Sequence, residues 1–268
     1  MRSLYPHSLW YCEAEVNMRD KVEIVFRRKV RAIWLEQGLE LSAKGVPWAE
    51  AKPLLAKEIA AENDGALTIV KATAHIRRIW FDPPEDSLAL RADALQIHQK
   101  DPSPATNLLL NWGMTIAAYP FIGSVGEALG RLLRLQKEAR RSDVQRRLRE
   151  QYGDRDFVSR TTRYTISSLL DWGIIEETKP AGTYRPGKPA EPRRPEYLAW
   201  LAEALLISRS KTQMAVTELT NHPALFPVNL ERLSTSVLQS NPRLSTERQS
   251  LNQEVVLLHN SSDHSKFS

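Results

Sequence analysis

Apolar residues recur at three- and four-residue spacing along most of the chain as far as Trp172, the period of helices with one buried face. In residues 20–37, Val22, Val25, Phe26, Val30, Ile33, Trp34 and Leu35 form one side, and Arg27, Arg28, Lys29 and Arg31 the other. That pattern predicts a long first helix, closed by Gly38. A second helix is expected over 47–61 on Trp48, Ala51, Leu54, Leu55 and Ile59, with Pro53 drawing its start forward. Asn63-Asp64-Gly65 marks a turn. Ile69, Ala72, Ile76, Ile79 and Trp80 then predict a helix over 67–80, stopped by Asp82-Pro83-Pro84, and a shorter one follows over 87–99. Residues 105–119 are apolar nearly all round, as expected of a helix at the centre of a bundle or between two domains.

Residues 121–186 hold the most complete module, three helical segments followed by a hairpin. Ile122, Val125, Leu129, Leu132, Leu133 and Leu135 line the first, with Ser124 and Glu127 spaced as a capping box. The second begins at Ser142, buries Val144 and Leu148, turns Gln145, Arg146, Arg147 and Arg149 largely outward, and ends at Gly153. The third starts near Asp154 or Asp156, either able to cap it, and packs through Val158, Thr162, Ile166, Leu169 and Leu170. Its opposite face carries Arg155, Ser159, Arg160, Arg163 and Ser167. Such a face combines arginines that reach phosphates or guanine edges with small hydroxyls that allow close approach. It also suits an ordinary solvated surface. After Gly173 the period changes: Ile174-Ile175 opens a strand, the KPAG run turns, and Thr183-Tyr184-Arg185 returns.

This order of segments resembles a winged helix-turn-helix DNA-binding domain, over roughly a quarter of the chain. The resemblance implies that the third helix meets the major groove and the hairpin lies along phosphates. The expected contacts are Arg160 and Arg163 with Ser159 and Ser167 on the helix and Arg155 at its start. Lys179 and Arg185 belong to the wing, and Arg146 and Arg147 broaden the basic footprint. Glu176 and Glu177 oppose phosphate contact by the first wing strand, which shifts the expected surface toward the helix and the wing tip.

The resulting fold class is mainly α, a multi-helix N-terminal domain packed against a winged helix, with a small helical C-terminal extension. The boundaries fall at 1–104, 105–188 and 189–268. The stretch 186–195, rich in Pro, Lys and Arg, reads as a linker. Beyond it, helices are expected over 196–208, 212–219 and 230–239, a strand or helix turn over 252–258, and a disordered tail. A second DNA-binding unit in the N-terminal helices, exposing Lys71, Arg77 and Arg78, competes with a docking or dimerisation role there.

Charge adds little globally, with 37 Lys and Arg against 32 Asp and Glu. Basic residues are locally dense from Arg131 to Arg149. A lone Cys12 offers no disulfide framework, which suits a cytoplasmic setting, and no stretch approaches a membrane span. The histidines at 7, 75, 98, 222, 259 and 264 form no ligand motif, so no metal and no cofactor is expected. Residues 123–130 carry glycines that suit a turn and close packing, without the Lys-Ser/Thr ending of a phosphate loop. No nucleophile or carboxylate constellation identifies a catalytic site, and a non-enzyme is expected. The anticipated partner is double-stranded DNA, for a regulator or an accessory subunit of a DNA-directed assembly such as defence or DNA processing. A non-catalytic protein-interaction adaptor, with protein partners, is the alternative. Two-fold symmetry would suit palindromic DNA and a homodimer stays open, since no heptad specifies one.

Overall fold

A computed structural model describes residues 26–62, 65–250 and 253–259. The protein is mainly helical, with two small three-stranded antiparallel sheets. Cys12, the start of the first expected helix and the expected disordered tail lie outside the described residues.

Residues 26–31 are not helical; they form an irregular strap with a bend at Arg27–Arg28, and α1 runs Ala32–Ala43, beyond Gly38. Gly38 is therefore no terminator. A Cβ there would lie 2.4 Å from the Ile76 side chain, so the glycine permits close helix packing. Helices α2 (Trp48–Glu62) and α3 (Ala66–Ile76) follow, the latter continued by a π-turn at Arg77–Phe81. Helix α4 spans Leu88–Lys100.

Helix α5 (Pro104–Ala118) is buried along most of its length, as its all-round apolar pattern predicts. Ser103 caps it, accepting from the Thr106 amide, with Pro104 at its first position. A 118° bend leads into α6 (Pro120–Gln136). No single helix is long and apolar enough to cross a membrane among the described residues, and this bent pair is largely buried core. Several tryptophans anchor that core and satisfy their indole N–H groups inside it: Trp80 donates to Asn111 at 3.0 Å, Trp112 to the Ala224 carbonyl at 3.0 Å and Trp200 to the Leu90 carbonyl at 2.9 Å. Each such indole removes roughly 150–250 Å² from water, worth about 4–6 kcal/mol as an upper figure.

From α6 the order is strand β1 (Ala139–Arg140), α7 (Arg141–Tyr152), α8 (Asp156–Asp171), β2 (Ile175–Thr178) and β3 (Thr183–Pro186). The sheet order is β1-β3-β2, with Ala139 opposite Tyr184 and Glu176 opposite Arg185. Ser124 does not cap α6. It lies buried in the second turn, 2.7 Å from the Tyr152 hydroxyl, while Glu127 pairs with Arg209 at 2.6 Å. The glycines of 123–130 make no turn either; all lie within α6. A Cβ on Gly130 would meet the Pro223 carbonyl oxygen at 2.0 Å.

The C-terminal part is not a purely helical extension. Helix α9 (Glu196–Ser208) matches its expected span and inserts into the core. It is followed by β4 (Gln213–Ala215), α10 (Val216–Thr220), a 3-10 turn at Pro223–Leu225, α11 (Thr235–Leu238), β5 (Leu244–Ser250) and β6 (Gln253–Leu258). The second sheet has order β4-β6-β5. Helix, strand, helix, helix, strand, strand, with the first strand beside the last, thus occurs twice in the chain. The expected helices over 212–219 and 230–239 shrink because β4 takes up the start of one, and only four residues of the other are helical. One contiguous hydrophobic core runs from Phe26 to Val256 and joins all these parts.

Candidate nucleic-acid interface

Helix α8 buries Val158, Thr161, Thr162, Thr165, Ile166, Ser168 and Leu169. This stripe is the expected one, widened by small hydroxyl residues. Thr162 and Ser168 satisfy their hydroxyls on the carbonyls of Val158 and Tyr164. The remaining face exposes Arg160 and Arg163 and half-exposes Ser159 and Ser167. Neither arginine is ion-paired among the described residues; Arg163 lies 5.5 Å from the Tyr164 ring centroid. Arg155, at the N-cap, is also exposed and unpaired. Neither Asp154 nor Asp156 caps the helix with its side chain: Asp154 sits outside, 3.7 Å from Arg149.

The other expected contacts fall into two groups. Arg146 is held by Asp143 at 3.8 Å and Glu150 at 3.2 Å on its own helix, and Arg147 is half-buried, its Nε without a hydrogen-bond partner in the described structure. Such exposed helix pairs contribute little to stability and yield readily to a competing anion. In the hairpin, Arg185 donates to Glu176 directly across the strands at 2.6 Å and 2.9 Å. Glu177 turns back to accept from the Gly182 amide at 2.8 Å. Both hairpin acids are therefore engaged within the hairpin, and Lys179 at its tip has no carboxylate partner among the described residues.

Pairing of β1 with β3 brings Arg140 and Arg141 beside the β2-β3 hairpin, a proximity the sequence pattern does not predict. The Arg141 amide donates to the Gly182 carbonyl at 2.8 Å, and exposed Arg140 sits opposite Thr183. Their place in a dense basic run is visible in the sequence. Their proximity to residues 179–183 is not, because a two-residue strand carries no readable period.

The N-terminal helices offer no comparable face. Arg77 pairs with Asp82 at 3.1 Å, Arg78 donates to the Ala118 carbonyl at 3.2 Å beside the Tyr119 ring, and Lys71 is half-buried. Two clefts lie elsewhere. One of about 880 Å³ lies between α4, α9 and the second sheet, with Glu203 and Arg243 in its wall. Those two groups are bonded to each other at 2.7 Å and to Asn241 and Asp93, so they are not poised for a ligand. The other, of about 520 Å³, is lined by Arg134, His222 and Asn229 among others. No group of three or more His, Cys, Asp and Glu residues suits a metal ion among the described residues.

Comparison of the chain with protein-family models, curated proteins and solved structures finds no match.

Proposed function

We propose that residues 120–186 form a winged helix that binds double-stranded DNA, with α8 entering the major groove and the β2-β3 hairpin lying on the backbone. The observation that carries this reading is the combination of topology and free charge. The order α6-β1-α7-α8-β2-β3 with β1 beside β3 presents a 16-residue third helix, about 24 Å long, with Arg160 and Arg163 unpaired on its outer face. Arg155 and Lys179 extend the same unpaired set at the helix start and the wing tip. Arg146, Arg147 and Arg185 supply a second rank, and Ser159 and Ser167 leave room for close approach.

The mechanism is electrostatic first. Each phosphate neutralised by these side chains releases condensed counterions, and base discrimination then falls to the two arginines best placed to fork onto guanine. In cells the role fits a regulator or an accessory subunit of a DNA-directed assembly.

The test is binding to labelled duplex DNA across a salt series. The wild type should bind saturably and lose affinity as salt rises. The R160A/R163A double variant, folded by circular dichroism, should bind at least 30-fold more weakly, from about 1 kcal/mol or more per arginine. The R248Q control, on the second sheet, should change binding less than twofold. Tight binding by folded R160A/R163A would remove α8 from the interface and favour an adaptor whose winged helix is structural.

A further inference from the structure

The strap of residues 26–31 crosses the C-terminal half of α8 and its following turn. Its course is fixed by directed bonds. The Val30 amide donates to the Ser168 hydroxyl at 2.9 Å, the Trp172 indole donates to the Val30 carbonyl at 2.9 Å, and the Arg27 amide donates to His75 Nε2 at 3.1 Å. Phe26 fills the space between His75, Tyr119 and Trp172. Four cations ride on this strap and meet different fates. Lys29 and Arg31 reach Asp171 at 2.8 Å and 3.1 Å, and Arg31 also bonds Glu62. Arg27 and Arg28 have no carboxylate partner among the described residues, and Arg27 is exposed.

Arg28 is also held in place. Its Nη1 donates to the Tyr164 hydroxyl at 3.0 Å and to the Arg27 carbonyl at 3.1 Å, and its guanidinium lies 5.8 Å from the Tyr164 ring centroid. Arg163 reaches the same ring from the outer face of α8 at 5.5 Å. Two guanidinium groups thus share one aromatic ring without a neutralising carboxylate. Ring contact stabilises each modestly, and with no carboxylate neutralising either among the described residues, both charges remain available to an anion.

Resting on the winged-helix reading, we propose that the strap is part of the DNA interface. Arg28, with Arg27 beside it, contacts the phosphate backbone flanking the groove that α8 enters. Tyr164 acts as the positioning residue that sets Arg28 next to Arg163. The composite surface is assembled from stretches some 136 residues apart in sequence, and it stops at Asp171, which neutralises the rest of the strap.

The experiment uses the full chain and labelled duplex DNA, measuring the slope of log affinity against log salt concentration. R28Q keeps the side chain polar and its aliphatic stem in place while removing the charge and the guanidinium that Tyr164 holds. It should lower the magnitude of the slope by about 0.9, roughly an eightfold loss at 0.1 M salt relative to a 1 M reference, with the same thermal midpoint as wild type. R28K should restore the slope. A wild type that binds with R28Q at an unchanged slope would overturn the strap contact and leave the α8 reading standing. A folded wild type that binds no duplex even at low salt would overturn both. Should R28Q lose the fold, R27Q carries the same slope test at an exposed site.

Discussion

The unit from α6 to β3 and the unit from α9 to β6 share one element order and one strand order, yet they differ in helix length and in charge. In the first, the third helix is 16 residues long and the unit carries 13 basic against 9 acidic residues. In the second, the third helix is four residues, too short to span a groove, and residues 196–259 carry 5 basic against 6 acidic. The difference extends to what each unit does with its arginines. Arg160 and Arg163 stand clear, whereas Arg243, just after α11, is bonded to Glu203 on α9 and Asp93 on α4. A shared topology therefore positions a helix and a hairpin, but length and unspent charge decide whether that framework can face a polyanion.

The sharpest way to test this contrast is to unfasten the second unit. Glu203 is 2% exposed and accepts from both Arg243 and Asn241, so removing Arg243 leaves a buried carboxylate without its main partner. R243A should cost about 3–5 kcal/mol in denaturant unfolding. Duplex affinity of the folded fraction should be unchanged; a matching loss of affinity would mean that the two units bind DNA together. A smaller effect is expected at the seam between them, where Gly130 on α6 faces the Pro223 carbonyl. G130A should destabilise by about 1–3 kcal/mol, because backbone rather than a pliable side chain must move. An unchanged thermal midpoint would show that the seam is loose.

A change of pH reaches the fastenings rather than the arginine face. Burial, with Arg209 nearby, pulls His222 down to about 4 against the opposing pull of Glu127 and Glu218. Burial, with Arg27 and Lys71, pulls His75 down to about 3. Because both folded values lie below the ordinary 6.5, the unfolded chain binds more protons on acidification. The stability from these groups is complete above pH 6.5 and falls between 6.5 and about 4 for His222, and down to about 3 for His75. Urea unfolding at pH 7.5 and pH 5 should show the drop, and H222Q should reduce it. Equal stability at the two pH values would contradict the neutral burial of both rings.

Much of this arrangement is legible in the sequence, and the exceptions share physical causes. Helix α9 and the packed face of α8 follow from helical periodicity alone. The strap was expected to be helical because Phe26 and Val30, four apart, satisfy a helix stripe. The same two residues, with half-buried Arg28 between them, also suit the non-helical, bent course that the segment takes in the structure. Strand β5 reads LSTERQS and leaves most of its residues at least partly exposed, so it carries no apolar alternation to find. Gly38 signals a helix end in sequence but marks close approach in the structure, whereas the α6 glycines, read as a turn and close packing, serve the packing and make no turn. The outward placing of Arg160 and Arg163 follows from their spacing, but their freedom from carboxylates among the described residues does not. The neutralisation of Arg185 by Glu176 needed the strand register.

Asp171 carries a consequence for the birth of the chain. Its Oδ1 accepts from the Ala32 amide at 2.9 Å, so the first turn of α1 takes its cap from the last residue of α8, since Arg31 provides none. Burial alone would raise this carboxyl, but Lys29, the Ala32 amide and Arg31 hold it below the ordinary value. During synthesis, α1 emerges long before its cap exists, and the strap, whose Phe26 and Arg27 meet His75, lacks its partners Ser168, Asp171 and Trp172 until α8 and its following turn have left the ribosome. The amino-terminal helices therefore wait, incompletely fastened, for the centre of the protein to arrive.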